Sequence, residues 1–261
     1  MEQSHDFVPD SLSRTVRGLV FVLVLCLRVA ICQSVMTHDS SPSKTPLPEY
    51  IEAFFLSDAV RNQDKGELQV TLGVDSWRTL GTNSSLQMEY GITNRLQASF
   101  ETGYGKSEQR AGESSEWNSA SFGLQYQAIQ RRAPFALSLG VAFGIPSRSG
   151  HGVGYEPMIL AARTIRRLQV HASFLAELEQ RESEFRYNIA SVYPFRHRWF
   201  PTLEFNGRHV NANEELYLTV GLYHKFDHRF ELGVGVPVGL GGISVSAGII
   251  GKLSWGIGGD I

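Results

Sequence analysis

Leu86-Gln-Met-Glu-Tyr-Gly-Ile92, a turn at Thr93-Asn94, and then Leu96-Gln-Ala-Ser-Phe-Glu-Thr-Gly-Tyr104 carry the decisive pattern of this sequence. Leu86, Met88, Tyr90 and Ile92 are apolar; Gln87, Glu89 and Gly91 between them are polar or small. Strict alternation with period two marks a strand with two unlike faces. Two such runs across a short polar turn mark a hairpin. The same pattern recurs in Phe122-Gly-Leu-Gln-Tyr-Gln-Ala128, Phe135-Ala-Leu-Ser-Leu-Gly-Val-Ala-Phe143, Leu168-Gln-Val-His-Ala-Ser-Phe174 and Phe230-Glu-Leu-Gly-Val-Gly-Val236. No stretch of the body shows a helical period.

Working outward from this hairpin, twelve strands are expected: 66–78, 84–92, 95–105, 117–128, 134–145, 156–165, 168–179, 184–193, 199–208, 215–225, 229–239 and 243–255. The repeat is about 16 residues, and a tilted membrane-spanning strand needs roughly 9–11. The rest suffices for one short connection per strand. Short turns at Thr93-Asn94, Gln130–Ala133, Arg166-Arg167, Arg196–Arg198 and Asp227-His228 alternate with longer polar loops at Lys106–Glu116, Pro146–Tyr155, Gln180–Ser183 and His209–Glu214. An even strand number with short turns at one end and longer loops at the other is the habit of bacterial outer-membrane barrels. The expected fold is therefore all-β: a transmembrane antiparallel β-barrel of about 12 strands over residues 66–261, in the outer membrane of a diderm bacterium.

The composition agrees once it is divided between two surfaces. Only 19% of the 261 residues are charged and 26 are Gly, while the mean hydropathy is slightly negative. Apolar residues facing lipid alternate with small or polar ones facing a lumen, so the average looks soluble. A lipocalin-like soluble barrel is the alternative fold, but twelve strands exceed it and its outward aromatics would aggregate. The 24 basic and 26 acidic residues provide no basic excess, which argues against nucleic acid as a partner. Cys26 and Cys32 are the only cysteines, which excludes a disulfide scaffold or a Cys-based zinc site from the body.

The N-terminus reads as an address. Arg14 and Arg17 precede the apolar run Leu19–Leu27, which is too short to span a bilayer as a helix. That order predicts a signal peptide over residues 1–33. Ile31 disfavours acylation of Cys32. Residues 34–65 read as a Pro/Ser-rich linker and short periplasmic segment. Within it, Glu49–Val60 carries Ile51, Phe54 and Phe55 and suits one or two helical turns, as a small periplasmic helix, a plug or a partly ordered extension.

Phase along each strand gives the expected lumen lining: Glu89, Glu101, Arg163, His171, Glu177, Arg186, Glu204, Arg208, Glu231 and Lys252. Charges of both signs must pair or stay hydrated there. Aromatics near strand ends suit the two membrane–water girdles: Tyr90, Tyr104, Trp117, Tyr155, Tyr193, Trp199 and Trp255, with Trp77 beside them. No Gly-x-Ser-x-Gly elbow or His-Glu-x-x-His motif appears, so no catalytic residues, metal site or cofactor are assigned. An outer-membrane hydrolase built on His151, His171 or His209 with Ser149 or Ser173 is the least favoured reading.

Glu89-Tyr-Gly-Ile-Thr-Asn-Arg-Leu-Gln-Ala-Ser-Phe-Glu101 resembles the strand–turn–strand signature of the outer-membrane barrels named for the MetA-pathway of phenol degradation. Asp64–Val74 resembles their first strand, and Gly123–Tyr126 with Leu137–Pro146 their middle hairpin. The resemblance covers roughly residues 60–255. It implies a transporter-like barrel, a narrow channel or uptake protein for small hydrophobic or aromatic compounds. The competing expectation is a structural or adhesive barrel with a closed lumen. The expected surroundings are the lipid bilayer with lipopolysaccharide, the outer-membrane assembly machinery and a small-molecule permeant. One departure lies at the C-terminus. Such barrels commonly finish on an aromatic residue, whereas Trp255 is followed by six more residues. Either the assembly signal is atypical or the last strand runs further.

Overall fold

A computed structural model of the chain describes residues 51, 54–78, 81–105, 116–129, 135–146, 153–178, 183–195, 198–210, 213–227, 229–242 and 247–258. The signal-peptide segment 1–33 and the linker up to residue 50 lie outside the described residues.

Twelve antiparallel strands close on themselves. They are β1 (Glu67–Trp77), β2 (Gly81–Gly91), β3 (Leu96–Gly105), β4 (Glu116–Ile129), β5 (Phe135–Pro146), β6 (Gly154–Ile165), β7 (Leu168–Leu178), β8 (Ser183–Val192), β9 (Trp199–Val210), β10 (Asn213–Lys225), β11 (Phe230–Gly242) and β12 (Gly248–Gly258). Each pairs with its sequence neighbours, and β1 seals the barrel against β12 from Glu67↔Gly258 to Trp77↔Gly248. Closure leaves no sheet edge, the condition for placing strands in hydrocarbon.

The alternation resolves into two surfaces. Leu72, Val74, Phe122, Leu124, Leu139, Ile189, Leu203, Val220, Val234 and Ile249 all point outward and are exposed. The inward rows bury Gln69, Thr71, Gln97, Ser138, Gln169, Asn188, Glu204 and Thr219. An apolar outside around a polar inside is unstable in water and favoured in a bilayer. The molecule is a transmembrane barrel of the bacterial outer-membrane type. The end carrying the start of β1 and the finish of β12 faces the periplasm under the usual topology of such barrels.

The connections and the last strand differ in part from what the sequence predicts. β9 runs to Val210 and β10 begins at Asn213, so the expected loop His209–Glu214 shrinks to residues 211–212. The connection between β1 and β2 is also short, so loop length alternates only in part. β12 starts at Gly248 and continues to Gly258, so the last strand does run further than Trp255. The Arg166-Arg167 turn is as tight as expected. Arg166 takes φ 57°, the left-handed conformation that a two-residue hairpin turn demands.

Two outward aromatic groups lie near opposite ends of the strands. Tyr90, Tyr193, Trp199 and Trp255 lie toward the periplasmic end and Tyr104 and Tyr155 toward the other, all exposed. Trp117 pairs with Tyr104 in β4, and its side chain lies outside the described residues. Trp77 departs from the girdle. It occupies the inward row of β1, donates Nε1–H to Asp75 Oδ2 at 2.7 Å, and packs edge-on against Tyr217. Its phase in β1 turns it inward, and Asp75 anchors the indole N–H there.

Candidate functional site: a lumen occupied by the chain's own N-terminal segment

Strand pairing assigns each predicted lumen residue to a face. Glu89 and Glu101 share the inward rows of β1 to β3 with Gln69 and Gln87. His171 and Glu177 of β7 face inward, as do Arg186, Arg208, Glu204, Glu231 and Lys252. Arg163 does not. It pairs with Phe135 on one side and Val170 on the other, both in outward rows. Near the periplasmic end of β6, its long side chain can reach the headgroup region.

The inward rows carry an excess of carboxylates. Among the described residues, Glu67, Asp75, Glu89, Glu101, Glu156, Glu177, Glu184, Glu204, Glu215 and Glu231 face the lumen against only Arg186, Arg208, Lys225 and Lys252. Most of the upper charges interlock. Arg208 grips Glu184 through Nε at 2.7 Å and Nη2 at 2.8 Å, and reaches Glu215 at 3.7 Å. Arg186 contacts Glu156, and lies 3.4 Å from Glu184 and 3.9 Å from Glu177. This network braces the β6–β10 wall, as expected for charges confined in a narrow barrel.

The lower lumen is filled by the chain itself. The sequence places residues 34–65 outside the strands, with a periplasmic helix, a plug or a partly ordered extension as the alternatives for Glu49–Val60. The described residues from Phe54 to Gln63 lie inside, as coil rather than helix. Ile51, Phe54 and Phe55 form one buried apolar cluster with Ala190, Val192, Phe200, Tyr223 and Ile250 of the wall. Phe55 stacks on Tyr223 with ring centroids 4.5 Å apart, and Phe54 meets His171 edge-on at 4.6 Å. His171 therefore serves as packing surface, while Ser173 accepts a hydrogen bond from Asn188 at 2.8 Å.

Polar contacts fix the segment's backbone. Phe55 N–H donates to Glu204 Oε1 at 2.7 Å, Leu56 N–H to Oε2 at 2.9 Å and the Ser57 hydroxyl to Oε2 at 3.1 Å. Lys252 Nζ donates to the Phe54 carbonyl at 2.5 Å. The Ser138 hydroxyl donates to Val60 O at 2.7 Å. Asn62 Nδ2 donates to Arg95 O at 2.7 Å and to Gln125 O at 3.1 Å, and Gln63 N–H to Gln97 Oε1 at 2.7 Å. An irregular backbone at membrane depth is tolerated only where protein or a water-filled cavity satisfies it, and these contacts satisfy part of it. Above the segment a polar cavity of about 210 Å³ remains, lined by Asp58, Gln87, Glu101, Glu156, Arg186 and Lys252 among others.

Glycines in the wall make room for the segment. A Cβ on Gly221 would lie 2.0 Å from Phe55 Cε2, whereas one on Gly144, also inward, would meet nothing within 4 Å. Gly221→Ala is expected to push Phe55 from its seat at a cost of about 1–3 kcal/mol, the range for overpacking. Gly144→Ala should stay within ~0.5 kcal/mol. Heat-dependent gel migration of the two folded variants checks the contrast.

No family model matches the chain, and no curated protein does. Solved structures share its fold. An outer-membrane channel from Pseudomonas putida F1 superposes with a TM-score of 0.60 at 8% identity, covering 76% of this chain and 98% of that one. The KdgM porin gives 0.56 at 13% identity, covering 72% of this chain and 98% of that one. The NanC porin gives 0.54 at 11%, covering 72% and 97%. At these identities the likeness is one of fold. It agrees with an outer-membrane barrel of the size and strand arrangement described above.

Proposed function

We propose that this chain is an outer-membrane channel for small solutes, closed by its own N-terminal segment and selective for cations when open. The observation that carries the reading is the lumen itself: a polar, carboxylate-rich wall around a cavity that ends on a coil joined to the wall without covalent bonds. Twelve strands enclose more space than the eight whose side chains fill a barrel, and less than the sixteen of an open porin. A lumen of that width can be closed by one short segment.

Charge supports the cation preference. The KdgM porin has also been solved in complex with oligogalacturonate, a polyanion. Among the described residues, ten lumen carboxylates against four cations would repel such a solute and draw cationic or zwitterionic ones. The resemblance to the MetA-pathway barrels supports a small and hydrophobic or aromatic permeant. Insertion by the outer-membrane assembly machinery, with lipopolysaccharide around the outer rim, belongs to the same proposal.

Planar bilayers test it. The full chain under a KCl gradient should give a reversal potential on the cation side. Glu101→Gln together with Glu156→Gln should move that potential toward zero. Anion selectivity would contradict the proposal. Absence of current at every voltage would favour the second reading, a structural barrel with a closed lumen, which the buried segment also supports.

A further inference from the structure

We infer that the lumen wall carries a binding site for a short peptide with an aromatic side chain, and that Phe54–Ser57 is its tethered occupant. The inference rests on the channel reading, since a free solute reaches this site only through the lumen.

The wall is shaped for a ring. Gly221 and Gly235 face the lumen side by side on β10 and β11. A Cβ would come within 2.0 Å of the Phe55 ring at the first and 2.9 Å at the second. Gly233 does the same for Tyr223, where a Cβ would lie 2.3 Å from the Tyr223 ring. The Tyr223 ring lies over that glycine, and Phe55 stacks on it at an interplanar angle of 28°. Three small residues and one aromatic thus form a slot whose contents are a flat, apolar group.

The polar groups around the slot read a peptide backbone. Glu204 is fully buried, and Lys252 is the nearby cation that acts on its charge. A buried carboxylate is costly unless donors surround it. Its two oxygens accept from the consecutive N–H groups of Phe55 and Leu56, and Lys252 donates to the carbonyl one residue earlier. One ring, two successive N–H donors and one carbonyl acceptor are what an aromatic residue presents together with the peptide bonds on either side of it. A hydrocarbon or a sugar lacks that combination. The site opens upward through Ser57 and Asp58 to the cavity above, so a solute entering from outside meets it once the segment withdraws.

The test uses the full chain carrying Phe54→Ser and Phe55→Ser, which removes both rings so that a free peptide can displace the weakened segment from the slot. Calorimetric titration of the detergent-solubilised barrel with N-acetyl-Phe-Phe-Leu-Ser amide should show saturable binding. It should be at least about tenfold tighter than to N-acetyl-Ala-Ala-Ala-Ser amide or to the unaltered chain, whose slot is full. Adding Glu204→Gln should weaken it about tenfold, since one of the two N–H acceptors is replaced by a donor. If the double variant does not fold, Phe55→Ala alone takes its place. Absent binding, or equal binding of both peptides, would overturn the inference. A barrel that conducts but binds neither peptide loses only this site. One that binds the aromatic peptide but never conducts keeps the site and loses the channel.

Discussion

Glu204→Ala is expected to open the lumen. That carboxylate accepts two backbone N–H groups and one hydroxyl from the segment in the lumen. Hydrogen bonds to a charged group contribute about 1.5–3 kcal/mol each. Alanine leaves two N–H donors unsatisfied while the segment stays seated, but water satisfies them once it withdraws. A net shift of ~3 kcal/mol changes the ratio of open to closed barrels by about two orders of magnitude. Glu204→Gln keeps one acceptor and should give a smaller shift. Two measurements check the result: open probability in bilayers, and trypsin cleavage at Arg61, which the withdrawn segment presents to the protease. Unchanged open probability in the alanine variant would mean that other contacts hold the segment.

Val220→Arg is the second large effect. Val220 lies on the outer face of β10 between Leu203 and Val236, and is 58% exposed. It belongs to a continuous belt of exposed apolar side chains, which is stable only where lipid surrounds it. An arginine near the midplane of the lipid face of such a barrel costs about 2–4 kcal/mol. Ser121→Arg supplies the control, because Ser121 lines the cavity among carboxylates and its substitution should cost little. Folding into lipid vesicles, followed in urea, measures both. Equal losses would mean that the two faces have been assigned wrongly.

Alternation made the barrel legible. Where a strand mixes large apolar with small polar residues, as in Leu86–Ile92 and Phe230–Val236, its phase follows from the sequence, and the lumen charges on β2, β3, β7, β9 and β11 follow with it. β6 has no such contrast. Met158, Ile159 and Leu160 are apolar in succession because Met158 and Leu160 face a lumen that is itself occupied or narrowed. With the phase blurred, Arg163 was legible as a charge but not as an outward one. Only its pairing with Phe135 and Val170 places it.

The segment in the lumen was legible in part. Phe54 and Phe55 stand next to each other, a spacing that fits neither a helix stripe nor a strand face. Their partners Tyr223 and His171 lie far along the chain, and Glu204 is 149 residues from Phe55. Nothing local announces such contacts. Gly221 and Gly235 look like any inward strand glycine, and only the ring lying against them shows what their missing side chains make room for.

Single-channel conductance of the full chain against a chain lacking residues 51–63, in one bilayer and one salt, tests the central claim most directly. A lumen closed by that segment predicts small, rare openings for the first and a steady conductance severalfold larger for the second, with the same cation preference. Equal conductances from two correctly folded barrels would show that the segment does not close the pore.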